Sequence, residues 1–193
     1  MGKVGVFGGT FNPPHLAHLL AAETVRDHLR LDKVLFVPAS IPPHKMGELI
    51  ISGEHRAKMV ELSIRDNPFF ELCTMELERP APSYTVDTLR ELHEKFPGEE
   101  LYLIVGVDLL IDFEKWKDHE IILKLSKVVG MNRPGFDMAM VDKEFLHHIE
   151  LVNVPQVDIS STSIRRRIQS GHSIKYLVPL EVENYINNHL IYR

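Results

Sequence analysis

The chain has 193 residues, 44% hydrophobic and 25% charged, and its 22 basic residues against 27 acidic ones give a formal net charge of −5. This balance excludes disordered, collagen-like and coiled-coil chains, and the mildly acidic surface argues against general nucleic-acid binding, which needs a basic field. A phosphorylated small molecule stays open as a ligand, because it needs only a few local cations. A chain of this length buries roughly 70% of the surface its unfolded form exposes and needs no covalent staples. Cys73 is the single cysteine, so neither an intramolecular disulfide nor a cysteine-rich zinc site is available, and a reducing compartment is expected. Residues Met1–Phe7 carry one basic side chain and run into Gly8-Gly9, unlike a signal peptide. Leu101–Val105, among the longest apolar runs, is far too short to span a bilayer. A cytoplasmic protein is the expectation.

In chain order, Val4–Phe7 predicts a buried strand, and Leu16, Leu19, Leu20, Val25 and Leu29 predict a helix from His15 to about Arg30. Lys33–Val37 predicts the next strand, stopped by Pro38. Residues 40–51 hold Pro42, Pro43 and Gly47 and predict a loop long enough to be functional. A helix over Glu54–Arg65 is capped by Ser52. Phe70–Glu78 reads as extended, Pro80-Ala81-Pro82 breaks the chain, and Thr85–Phe96 reads as a helix. Strands follow at Leu101–Val105 and Lys127–Met131, then a helix over Val141–His148 and a short strand at Leu151–Val154. Helices over Ser163–Ser170 and Val178–His189 close the chain. Alternating strands and helices predict an α/β fold with a doubly wound parallel sheet and helices on both faces. No internal repeat or linker divides it. The expected organisation is one domain over residues 1–193, with 160–193 a C-terminal helical subregion. Ligands in such sheets bind beyond the carboxyl ends of the strands.

After the first strand comes Gly8-Gly9-Thr10-Phe11-Asn12-Pro13-Pro14-His15-Leu16-Ala17-His18. Two glycines allow a tight turn and a close phosphate approach. Pro13 and Pro14 fix φ at the helix entry. His15 and His18, three apart, can share one face of the first turn and donate to an anion at the positive helix end. A plain strand-to-helix turn, a metal pair or ordinary cap residues are the competing readings. The segment is neither a G-x-G-x-x-G fingerprint nor a Walker A loop. Near the other end, Ile159-Ser160-Ser161-Thr162-Ser163-Ile164-Arg165-Arg166-Arg167 is a hydroxyl run entering a helix. It reads as a second anion site, or as a capped surface helix with solvated arginines.

The first segment resembles the opening motif of the HxGH-type nucleotidylyltransferases, with Ala17 where that family usually has Gly. The second resembles their ISSTxIR motif. The resemblance implies the Rossmann-like nucleotidylyltransferase fold. It also implies ATP binding by Gly8, Gly9, Thr10, Phe11, His15, His18, Gly106, Asp108, Ile159, Ser161, Thr162 and Arg165. Within that set His15, His18 and Arg165 are the expected catalytic residues.

The middle of the chain resembles one branch, the bacterial nicotinate mononucleotide adenylyltransferases. Pro42-Pro43-His44-Lys45, Pro82-Ser83-Tyr84-Thr85-Val86-Asp87-Thr88-Leu89, Val105-Gly106-Val107-Asp108 with Trp116, and Asn132-Arg133-Pro134-Gly135 carry this likeness. His44 and Lys45 put positive charge on a loop. Ser83 and Thr85 read as caps of a helix whose amides suit a carboxylate, and Trp116 can stack on a planar cationic ring or simply pack in the core. Asp108 reads as a ribose or Mg²⁺-positioning group or as a helix cap, and Arg133 as a phosphate partner or a loop brace. His147-His148 reads as surface. By resemblance, nicotinate mononucleotide is held by Thr10, His44, Lys45, Ser83, Tyr84, Thr85, Trp116, Lys117 and Arg133, with Lys117 where an aromatic is common.

What the likeness implies is adenylyl transfer from ATP, with Mg²⁺ carried on the phosphates and no direct protein ligand for it. Homodimers or larger assemblies occur in the family. Another adenylyl- or cytidylyltransferase, such as a pantetheine-phosphate adenylyltransferase, and a non-catalytic nucleotide-binding module are the alternatives. Cys73 lies outside every motif and is no nucleophile candidate.

Overall fold

The computed structural model describes residues 2–40, 50–132 and 147–193. In chain order they form β1 (Lys3–Gly9), α1 (Leu16–Leu29), β2 (Lys33–Pro38), α2 (Gly53–Ile64), β3 (Phe70–Leu72), α3 (Thr85–Lys95) and β4 (Glu100–Gly106). Then come α4 (Val107–Leu110), a 3₁₀ turn (Phe113–Lys115), α5 (His119–Leu125), β5 (Lys127–Met131), β6 (Ile149–Val152), α6 (Ser161–Gln169) and α7 (Leu180–Asn188).

The strands make one sheet in the order β3-β2-β1-β4-β5-β6, every pair parallel. Side chains alternate across a strand, so each run of apolar residues feeds two cores. Val4, Val6, Leu35, Val37, Leu101, Leu103 and Val105 face one side, with Val86, Leu89 and Leu92 of α3 and Ile122 of α5. Phe7, Val34, Phe36, Tyr102 and Ile104 face the other, with Ala22, Val25 and Leu29 of α1. A sheet buried on both faces needs near-continuous apolar strands, and Leu101–Val105 is buried throughout. A third cluster joins α2, α6 and α7 through Met59, Ile164, Val182, Ile186 and Ile191. The chain order reverses between β1 and β4, so the crevice beyond their carboxyl ends is where this topology binds ligands.

Most elements match the periodicity within two residues. Ser52 caps α2 as expected, its Oγ accepting from the His55 N–H at 3.3 Å. The extended reading of Phe70–Glu78 holds only to Leu72. The chain then turns, with Leu77 N–H donating to the Thr74 carbonyl at 2.8 Å, and Glu76 is buried. Ser83 and Thr85 do not cap α3: Tyr84 occupies the cap position with no side-chain bond, and Thr85 is the first helical residue. Asp108 is not a cap either, because Gly106 takes that position for α4. The short helices α4 and α5 have too few turns for a helical period to show in the sequence. The expected helix over Val141–His148 lies mostly outside the described residues, and His147 and His148 form an exposed turn. Among the described residues, no helix is long and apolar enough to cross a membrane.

Candidate active site

The carboxyl end of β1 delivers Gly8 and Gly9 to the switch point. A Cβ on Gly8 would meet nothing within 4 Å, so this edge is open to a ligand. A Cβ on Gly9 would press on the Phe11 ring at 3.0–3.2 Å, so Gly9 must be small to seat Phe11. Phe11 is 2% exposed and has φ 48°, a left-handed conformation that is rare for a bulky residue and recurs at functional sites. The Asn12-Pro13 bond is cis.

His15 is the cap residue of α1, and His18 lies one turn on. The two imidazoles stack with centroids 3.6 Å apart and planes 20° apart. Phe11 meets the His18 ring edge-on at 5.1 Å and Phe7 at 6.1 Å. His18 Nδ1 accepts the His15 backbone N–H at 3.2 Å. An accepting Nδ1 places the proton of a neutral ring on Nε2, a donor suited to a phosphate oxygen. Packing and tautomer together aim one imidazole donor at the positive end of a 14-residue helix.

The second segment arrives from the far end of the chain. Ser160 caps α6, its Oγ accepting from Ser163 N–H at 3.2 Å while Ser163 Oγ accepts from Ser160 N–H at 3.3 Å. Ser161 Oγ donates to the Pro13 carbonyl at 2.8 Å, and Arg165 Nη1 donates to the Asn12 carbonyl at 2.9 Å. Arg165 Nη2 also reaches Thr162 Oγ1 at 3.4 Å. Two segments about 150 residues apart therefore interlock, and α1 and α6 open toward one place. Ile159 packs on the third core cluster. At the end of β4, a Cβ on Gly106 would collide with the Asp108 carboxylate, which lies over it.

Of the residues expected to hold the acceptor, Ser83, Tyr84, Thr85, Trp116 and Lys117 lie at or near the start of α3, while Thr10 follows β1. Lys117 Nζ sits 4.4 Å from the Tyr84 ring centroid and 3.1 Å from Asp87 Oδ2. Trp116 is half-buried, tilted 36° against Phe113 at 5.3 Å, and packs on the core that holds α3. It packs partly in the core and keeps part of its surface exposed. Ser83 Oγ accepts the Ser40 N–H at 3.2 Å, tying this entry to the end of β2. Behind it Glu76 Oε1 accepts from Thr88 Oγ1 at 2.6 Å. Burial pushes the Glu76 carboxyl above the usual range, against hydrogen bonds from Thr88 and Ser83. His44, Lys45 and Arg133 lie outside the described residues.

Arg56 was not singled out in the sequence. It is 2% exposed. Its guanidinium donates to the carbonyls of Ala39 at 2.6 Å, Thr10 at 2.9 Å, Ser40 at 3.0 Å and Ile51 at 3.2 Å. One side chain thus joins Thr10, in the segment after β1, to Ser40, whose N–H Ser83 accepts. The signal was present: Arg56 shares the i, i+3, i+4 face of α2 with Met59 and Val60, both fully buried. Cys73 is buried and its thiol is pushed up by desolvation, so it is inert.

This geometry can be set beside known proteins. Residues 6–167 match the cytidylyltransferase-like family model. A protein from Desulfitobacterium hafniense (strain Y51) named probable nicotinate-nucleotide adenylyltransferase is 43% identical, over 99% of this chain and 96% of its own. One from Thermus thermophilus under the same name is 44% identical over 99% and 100%. Among solved structures, the Plasmodium falciparum nicotinic acid mononucleotide adenylyltransferase complexed with NaAD superposes with TM-score 0.80 at 20% identity, covering 100% of this chain and 98% of that one, and shares the fold. Its two-motif cleft, its sheet order and its full-length relatives agree, and the chain belongs to the cytidylyltransferase-like family and, within it, to the nicotinate-nucleotide adenylyltransferases.

Proposed function

We propose that this chain transfers the adenylyl group of ATP to nicotinate mononucleotide, forming nicotinate adenine dinucleotide and pyrophosphate, a step of NAD biosynthesis. One observation carries the reading: Ser161 and Arg165 grip the carbonyls of Pro13 and Asn12, so that two helix N-termini and the His15–His18 stack converge at the switch point. That site suits a triphosphate. The Tyr84–Lys117–Trp116 corner beside it suits a flat, charged ring.

The acceptor phosphate attacks the α-phosphorus in line, the new P–O bond forms, and the bond to pyrophosphate breaks. The attacking monoester has a second pKa of about 6, so it is largely dianionic at neutral pH and needs no general base. The chain's residues therefore position and neutralise rather than move protons. His18 Nε2–H donates to the α-phosphate as its charge is redistributed. Arg165, Thr162 and the first amides of α6 hold the leaving phosphates. The α3 amides at Thr85 take the acceptor's carboxylate.

The donors here are imidazoles, hydroxyls and a guanidinium, with Asp108 near the end of β4, a set suited to Mg²⁺ that arrives on phosphate oxygens. Bound Mg²⁺ supplies positive charge to the leaving pyrophosphate. The chain works as a single cytoplasmic domain. Direct transfer is tested with ATP chiral at the α-phosphorus. Inversion in the dinucleotide, with equimolar pyrophosphate, is expected, and retention would show a covalent enzyme intermediate and refute it.

A further inference from the structure

The last residues of the chain touch the nucleotide segment. Tyr192 Oη donates to Asn12 Oδ1 at 2.7 Å, and Asn12 is 4% exposed. The same Asn12 receives Arg165 on its backbone carbonyl, and its neighbour Pro13 receives Ser161. Asn12 is thus held on two oxygens by two elements from the C-terminal part of the chain. It stands between Phe11, whose φ is 48°, and the cap residue His15.

The tail is built to hold this contact. Ile191 is 6% exposed in the third core cluster with Ile164 of α6 and Ile186 of α7, and its N–H donates to the Ile186 carbonyl at 3.1 Å. On either side of it, Leu190 and Tyr192 have φ 53° and 68°. Leu190 closes α7 as a left-handed helix cap, its N–H donating to the Asn187 carbonyl at 3.3 Å, whereas the left-handed Tyr192 lies beyond that cap and is held by its contact with Asn12. Burial raises the Tyr192 phenol well above its usual range, outweighing Arg165 and Arg56 nearby, so it stays a donor at any working pH.

We infer that Tyr192 is a positioning residue for adenylyl transfer, acting through Asn12 to set the segment that carries the His15–His18 pair. This rests on the reaction proposed above. Losing the hydroxyl lets Asn12 and the start of α1 relax, so donors made for the transition state lose alignment while the acceptor corner is untouched.

The test is a double-mutant cycle of Tyr192→Phe and Asn12→Ala, with Tyr185→Phe as control. Tyr185 also uses its hydroxyl, but on His55 Nδ1 at 2.9 Å, whereas the hydrogen-bond partners of Asn12 are Tyr192 and Arg165. Tyr192→Phe is expected to lower kcat about tenfold with acceptor KM nearly unchanged, and to lower the melting temperature by about 2–6 °C for the one buried hydrogen bond lost. In the Asn12→Ala background it should lower kcat no further. The histidine C2–H resonances of His15 and His18 should move in Tyr192→Phe and stay in Tyr185→Phe. Full multiplication of the two kcat losses, or a Tyr192→Phe kcat within twofold of the parent, overturns the inference. If the parent protein makes no dinucleotide, the proposed reaction fails by itself. The resonances then decide, and unmoved His15 and His18 signals overturn the positioning role.

Discussion

Replacing Arg56 by Met keeps the stem of the side chain and removes its guanidinium. Four carbonyls, those of Ala39, Thr10, Ser40 and Ile51, lose a charged donor. An unsatisfied buried acceptor costs about 1–3 kcal/mol. Carbonyls have a second lone pair, and Thr10, Ser40 and Ile51 are only half-buried, so the low end is an upper bound, at most about 4 kcal/mol for the set. Removing the charge returns part of this, because burial already depresses the Arg56 pKa by desolvation. The net loss is about 3 kcal/mol, within the range for broken buried networks. For a chain of this size that lowers the melting temperature by about 6–12 °C. Arg56→Lys should fall between, since one ammonium cannot span the fork. Thermal unfolding followed by circular dichroism measures it, and a melting temperature within about 2 °C of the parent would refute the reasoning.

Other perturbations separate chemistry from scaffold. His18→Ala should melt close to the parent yet lose about 10²–10³ in turnover, the usual cost of one charge-stabilising donor; a steady-state assay reads it. Lys117→Ala should raise KM for nicotinate mononucleotide about threefold to tenfold through the lost Tyr84 and Asp87 contacts, leave KM for ATP unchanged, and alter stability by under about 0.5 kcal/mol because the ion pair is exposed. Glu76 titrates higher in the folded chain than its ordinary 4.5. The folded state therefore binds the proton more tightly, and its contribution is complete below about pH 4.5 and lost as pH rises through the raised value. Glu76→Gln should gain stability relative to the parent as pH is taken from about 4 to 7 in denaturant titrations; a flat difference contradicts it.

Much of this fold was legible because a parallel sheet buried on both faces writes its strands as apolar runs. Val4–Phe7, Lys33–Val37 and Leu101–Val105 all read this way. Helices α4 and α5 have four and seven residues, too few turns to show a period. Glu76 misled because an apolar–acidic alternation from Phe70 onward looks like a strand, whereas the chain turns at Thr74 and buries the carboxyl. The segments over 8–18 and 159–167 were legible as local patterns. Their interlock through Asn12 and Pro13 was not, since nothing in either segment specifies a partner some 150 residues away. Tyr192 stands one residue from the chain end with no motif around it. Arg56 shows that a lone cation on an apolar helix face is worth singling out.

Joining ATP to a pyridine mononucleotide whose carboxylate is recognised is the reaction proposed for this cleft, and a choice between two acceptors tests it most directly. Purified protein with ATP and Mg²⁺ is given nicotinate mononucleotide in one reaction and nicotinamide mononucleotide in another, and dinucleotide and pyrophosphate are followed. Rapid dinucleotide formation with the acid and little with the amide is the predicted result. Equal rates with both would contradict carboxylate recognition at Thr85 and Trp116, and no dinucleotide from either would contradict the proposed reaction itself.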